Sequence, residues 1–182
     1  MTQPLPPVRR IVTAVDESGM SYIAEDGESP AVLTVAGRPG YRNSNLWQTR
    51  GGSSVDAADN IAAHAGVCPP SGGTVLRVID IPPRPADPAE FRRQAEATFK
   101  GMFPDADHRN NPDQPVGMHV TPTVDYAILL SGELVAIMDR EETLMRAGDV
   151  LIQRGTSHAW ENRSSMTARI AFILVDALPQ QK

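Results

Sequence analysis

The stretch GMHVTPTVDYAILLSGELVAIMDREETLMRAGDVLIQRGTSHAWEN, residues 117–162, decides how the rest of the chain is read. Within it His119, Thr121, Thr123 and Asp125 fall at every second position. A strand sends alternate side chains to one face, so an extended 119–125 points these four polar groups the same way. Tyr126 to Leu130 follows as an almost wholly apolar run, the pattern of a buried strand. Further on, His158, Trp160 and Asn162 again fall at period two. Two polar clusters, each with one histidine, are thus expected on strands of one antiparallel unit. They should converge in the mouth or interior of a small barrel.

Outward from this stretch the chain reads as short strands divided by Gly, Pro and Asp, which points to an all-β fold. Strands are expected at 133–139, 143–146, 150–152 and 168–176 on the C-terminal side. On the N-terminal side, 10–15 and 20–24 read as a hairpin, with turns at 16–19 and 26–27. Further strands are expected at 31–35 and 41–49. Residues 1–8 read as a mobile proline-rich leader. Residues 50–73 read as an excursion or lid, with a helical turn within 56–64, and His64 as an exposed bystander. The run TVLRVIDI, residues 74–81, is rich in β-branched residues and places Val75, Arg77, Ile79 and Ile81 on one face. Asp87, Pro88 and Glu90 signal a helix start, and Phe91, Ala95 and Phe99 mark its apolar face to about Lys100. Residues 103–116 read as a loop.

The central stretch resembles a cupin domain. The first cupin motif is matched by His119-Val-Thr121, three residues, Asp125, six residues and Gly132. The second is matched by Gly148 and then by Gly155, His158 and Asn162 at the family's spacing. Thr121 stands where the family has its second histidine, Asp125 where it has glutamate, and Gln153 where it has proline. The glycine that should stand six residues before His119 is absent. The sequence is similar to a subgroup of small cupins with His-x-Thr, Asp-Tyr and Gln-Arg-Gly-Thr runs. The resemblance spans residues 115–176, about a third of the chain. It implies a mostly β protein: a single cupin (jelly-roll, double-stranded β-helix) barrel with an N-terminal β extension and one short helix. Residues 101–182 would form the barrel core. Residues 1–100 would supply the extension, excursion and helix packed on it, all in one domain. A homodimer is also implied.

Composition narrows the function. The chain has 182 residues, 41% hydrophobic and 21% charged, enough for one domain with a core and unlike a disordered chain. A formal charge of -5 without a Lys/Arg block argues against nucleic-acid binding. No apolar run approaches the ~20 residues of a membrane helix, and the N-terminus has no signal core. The single cysteine, Cys68, excludes an internal disulfide, fits a reducing cytoplasm and has no basic neighbour to activate it.

Three readings of the histidine cluster stand side by side. In metal-binding cupins the residues matching His119, Asp125 and His158 are ligands; imidazole and carboxylate suit zinc, iron, manganese or nickel. Without metal, His119 or His158 would act as general acid/base, with Asp125 orienting a ring or carrying the proton. Thr121, Gln153 and Trp160 would then contact substrate. In the third reading the histidines are structural, bonded to Asp125 and Asn162. The preferred function is a lyase, isomerase or dehydratase acting on a small oxygenated compound. A metal-dependent dioxygenase and a non-catalytic ligand-binding cupin are the alternatives.

Overall fold

The computed structural model describes residues 4–108, 111 and 113–178. Strands β1 (Arg9–Val15) and β2 (Ser21–Glu28) form a separate two-stranded hairpin. Its turn is tied by the Asp16 carboxylate, which accepts from the Ser18 and Met20 amides. Asp26 and Gly27, expected as a turn, stay within β2 and pair with Ile11 and Arg10.

The barrel follows. Its strands are β3 (Ala31–Thr34), β4 (Arg42–Thr49), β5 (Thr74–Ile81), β6 (Asp107–His108), β7 (His119–Val120) and β8 (Thr123–Ser131). After them come β9 (Glu133–Met138), β10 (Glu142–Arg146), β11 (Val150–Arg154), β12 (His158–Glu161) and β13 (Ala168–Asp176). Six of these form one sheet in the order β11-β8-β13-β5-β4-β3. The other five form a facing sheet, β10-β9-β12-β7-β6. All pairings among the described residues are antiparallel. The inward positions of both sheets, among them Val75, Ile79, Leu129, Leu134, Ala136 and Phe172, make one continuous core. This is the jelly-roll expected of a cupin. Strands β3 to β5 lie inside the six-stranded sheet, so the barrel takes strands from both sides of residue 100.

Residues 119–125 are not one strand. Pro122 has no amide hydrogen to give a ladder and restricts Thr121 before it. The chain therefore leaves the five-stranded sheet as β7 and enters the six-stranded sheet as β8. Thr121, Thr123 and Asp125 are nevertheless all buried. Nor is 126–130 buried throughout: Tyr126 is 43% and Leu130 47% exposed, alternating with fully buried Ala127 and Leu129. Gly132, at φ +78°, closes the β8–β9 turn, where a Cβ would stand 3.0 Å from the Ala168 Cα.

The helix α1 (Pro88–Met102) begins where expected, with the Asp87 carboxylate accepting from the Ala89 amide at 2.9 Å. Phe91, Ala95, Thr98 and Met102 form its buried face. The excursion forms only one turn of 3-10 helix, Ile61–Ala63, before Gly66 and the prolines. In the leader, Arg42 donates to the carbonyls of Leu5 and Pro6, and Arg169 donates to Pro6. The mobile leader of the sequence reading is therefore strapped to the sheet from Leu5 onward. No helix among the described residues is long and apolar enough to cross a membrane.

Candidate active site

The two sheets and α1 enclose a cavity of about 90 Å³. His119, Thr121, Asp125, His158 and Trp160 all line it, so five of the six residues chosen from sequence meet there. The sixth, Gln153, does not line it. Cross-strand pairing sets Gln153 opposite Asp125, but its amide donates to the Thr156 carbonyl at 2.8 Å and to the Thr156 hydroxyl.

The histidines meet through strand register. His158 of β12 pairs with His119 of β7, which pairs with His108 of β6. The His119 and His158 rings lie 4.2 Å apart, and Phe99 of α1 stacks on His108 at 4.0 Å. Trp160 meets His158 edge-on at 5.8 Å and Phe172 at 5.2 Å. His108 was missed in the sequence because 103–116 reads as a polar loop.

Each imidazole of the pair has a defined tautomer. His119 Nδ1 lies 2.9 Å from the Gly117 carbonyl and His158 Nδ1 lies 3.0 Å from the Thr156 carbonyl. A carbonyl only accepts, so both Nδ1 atoms carry hydrogen and, in the neutral ring, each Nε2 is the unprotonated nitrogen. Burial, reinforced for His119 by His158, lowers the two pKa values to about 3 and about 4. Both rings are therefore neutral at pH 7. They are not bonded to Asp125 or Asn162 as the structural reading required. Asn162 instead ties the turn after β12, donating to the Ile81 and Met166 carbonyls.

Asp125 is buried, and its Oδ1 has no hydrogen-bond partner. Burial raises its pKa to about 6, against the opposing pull of the Thr123 hydroxyl and the Arg77 charge. A carboxyl so tuned exchanges its proton close to neutral pH.

The metal reading meets this geometry less well. The unprotonated Nε2 atoms, with Nδ1 held by carbonyls, suit ligation. Yet among the described residues no three His, Cys, Asp or Glu side chains converge closely enough to hold an ion.

Sequence reasoning also missed Arg38, Tyr41 and Arg77, which line the same cavity. Arg77 carried a signal, since it shares a strand face with Val75, Ile79 and Ile81. His64 corrects the bystander reading. Half-buried, it bonds Gln48 Oε1 through Nδ1 at 2.9 Å and faces Arg77 Nη2 through Nε2 at 3.3 Å. The excursion is thereby fastened as a cavity wall, helped by Asp105, which accepts from the Val67 and Cys68 amides. Burial and the Asp105 charge push the Cys68 thiol up to about 11, leaving it a poor nucleophile.

No family model matches the chain. Phomopsin biosynthesis cluster protein C' of Diaporthe leptostromiformis is 25% identical over 178 residues, covering 93% of this chain and 79% of its own length. A cupin-domain-containing oxidoreductase of Hypocrea virens is 36% identical over 66 residues, 34% of either chain. A cupin 2 conserved barrel domain protein from Salinispora arenicola superposes with a TM-score of 0.44 at 12% identity, covering 79% of this chain and 82% of its own. Over about a third of its length, the motif-bearing segment, the chain is thus similar to cupin-domain-containing proteins.

Proposed function

We propose that the chain is a small-molecule enzyme of the lyase, isomerase or dehydratase type, with Asp125 as its proton carrier. The observation that carries this reading is the unpartnered Asp125 oxygen on the wall of a cavity shared with two neutral imidazoles. Above pH 6 the carboxylate takes a proton from a carbon next to a carbonyl. The C–H electron pair becomes the enolate. Asp125 then returns the proton to another carbon, or to a departing hydroxyl that leaves as water. The Nε2 atoms of His119 and His158 accept hydrogen bonds from substrate hydroxyls, and Thr121 and Trp160 bound the site. The relatives' biosynthetic-cluster names agree with a small organic substrate.

A dioxygenase-type reading draws on relatives named oxidoreductases, but the donor set does not supply its three-ligand centre. Pairing with a second copy fits the exposed outer side of β8 and β11, where Tyr126, Leu130, Val150 and Ile152 stand together.

The test is deuterium entry in buffered D2O, followed by NMR, with a panel of small ketones, hydroxy ketones and keto acids. Wild-type protein should accelerate exchange in at least one compound, and Asp125→Asn should slow it about a hundredfold or more. Equal rates for the two proteins would remove Asp125 from the chemistry and leave a ligand-binding cupin.

A further inference from the structure

The charges on the cavity wall do not cancel. Arg38 and Arg77 bring two guanidinium groups, Asp125 brings one carboxylate, and the two lining histidines are neutral. Arg77 is only 1% exposed. Its Nη2 donates to the Val67 carbonyl at 2.7 Å and to His64, and its Nη1 to the Gly66 carbonyl at 3.4 Å. All three are uncharged acceptors. Its Nε is buried and has no partner. Among the described residues the ion pairs lie elsewhere, and none includes Arg77 or Arg38. Asp105 feels the Arg77 charge but is committed to the Val67 and Cys68 amides. Arg38 lies over the Tyr41 ring at 4.3 Å and reaches the Thr98 hydroxyl at 3.4 Å, again without a carboxylate.

A buried cation without an opposing charge is costly, and a ligand that brings the charge relieves that cost. Asp105 and Asp125 act on Arg77 through space, but neither forms an ion pair with it, so among the described residues its guanidinium has no carboxylate in direct contact. The remaining wall is largely hydrocarbon, with Phe91, Phe99, Phe103 and Phe172 among its residues. At about 90 Å³ the space is far below that of a drug-sized pocket.

We propose that Arg77, assisted by Arg38, forms the anion-recognition end of this cavity, and that the ligand is a compact organic monocarboxylate whose hydrocarbon part rests on the phenylalanines. The proposal deepens the reading of this cavity as the substrate site and rests on it. Guanidinium is the fitting group, because its planar fork matches a carboxylate.

The experiment is calorimetric titration of the full chain with butyrate, cyclohexanecarboxylate and benzoate, each against its own primary amide. At least one acid should bind tenfold or more tightly than its amide, since a charge-assisted contact distinguishes the two. Arg77→Met should lose more than tenfold in affinity for that acid and little for the amide. If Arg77→Met does not fold, Arg38→Met decides, with a loss in the same direction. Acids that bind no better than their amides, no binding by any acid, or a folded Arg77→Met that keeps its acid affinity would overturn the proposal. So would unchanged acid affinity in Arg38→Met where Arg77→Met is unfolded. Asp125→Asn should keep or gain acid affinity. Acid selectivity together with unchanged deuterium exchange in Asp125→Asn would leave this inference standing and remove the proton-transfer reading.

Discussion

Strand β5 carries two buried charges, Arg77 facing the cavity and Asp80 facing the other way. Asp80 is held by Arg42 at 2.6 Å and by Arg169 at 2.7 Å. Arg77 is as deeply buried, but its partners are carbonyls and an imidazole. Three residues apart on one strand, one charge is met by direct ion pairs and the other feels carboxylates only through space. Burial alone therefore does not separate a structural ion from a functional one. The separating feature is whether the protein supplies a counter-charge in direct contact.

Four measurements break or sharpen that contrast. Asp80→Ala should cost about 3–5 kcal/mol in urea denaturation, because it leaves the Arg42 and Arg169 guanidiniums without their counter-charge. A loss below about 1 kcal/mol would erase the difference between the two faces.

Asp125→Asn should act in the opposite direction. Folding raises this carboxyl from its ordinary 3.8 to about 6, so the folded state holds the proton longer. Wild-type stability then falls as pH rises from about 4 to 6 and stays lower above that. The variant, free of that penalty, should be more stable by about 2–3 kcal/mol at pH 8 and nearly equal near pH 4. Melting temperatures at the two pH values check this.

The histidines slope the other way. Folding lowers both pKa values, so their contribution is complete above pH 6.5 and is lost as pH falls toward 4. Each should cost on the order of 2 kcal/mol between pH 7 and pH 5, and His158→Gln should flatten the profile by its share. Because Asp125 opposes this trend in the same window, the difference between variant and wild type is the quantity to read. Last, Arg9→Ala should leave the urea midpoint unchanged. Its pair with Asp26 has the same 2.6 Å spacing as Arg42 with Asp80 but stands in solvent.

The sequence carried the barrel well, because alternation and turn residues are local signals. His119, Asp125 and His158 were legible for the same reason: period two put each on an inward face. Three things were not legible. The break at Pro122 moved β7 and β8 into different sheets, although the inward direction survived. Gln153 was placed by its position in a motif, but its amide is held aside by the Thr156 carbonyl and hydroxyl. Arg77 and His64 lie far from the motif, and only tertiary pairing of β5 with β4 and β13 brings their neighbourhood to the cavity. A charged residue on an otherwise apolar strand face was the available warning.

Because Arg42 and Arg169 hold Leu5 and Pro6 by their main-chain oxygens, any amino acid at those two positions offers the same handle. The leader is thus tolerant of spelling and intolerant of shortening. Trimming through Pro6 would release both guanidiniums from these acceptors.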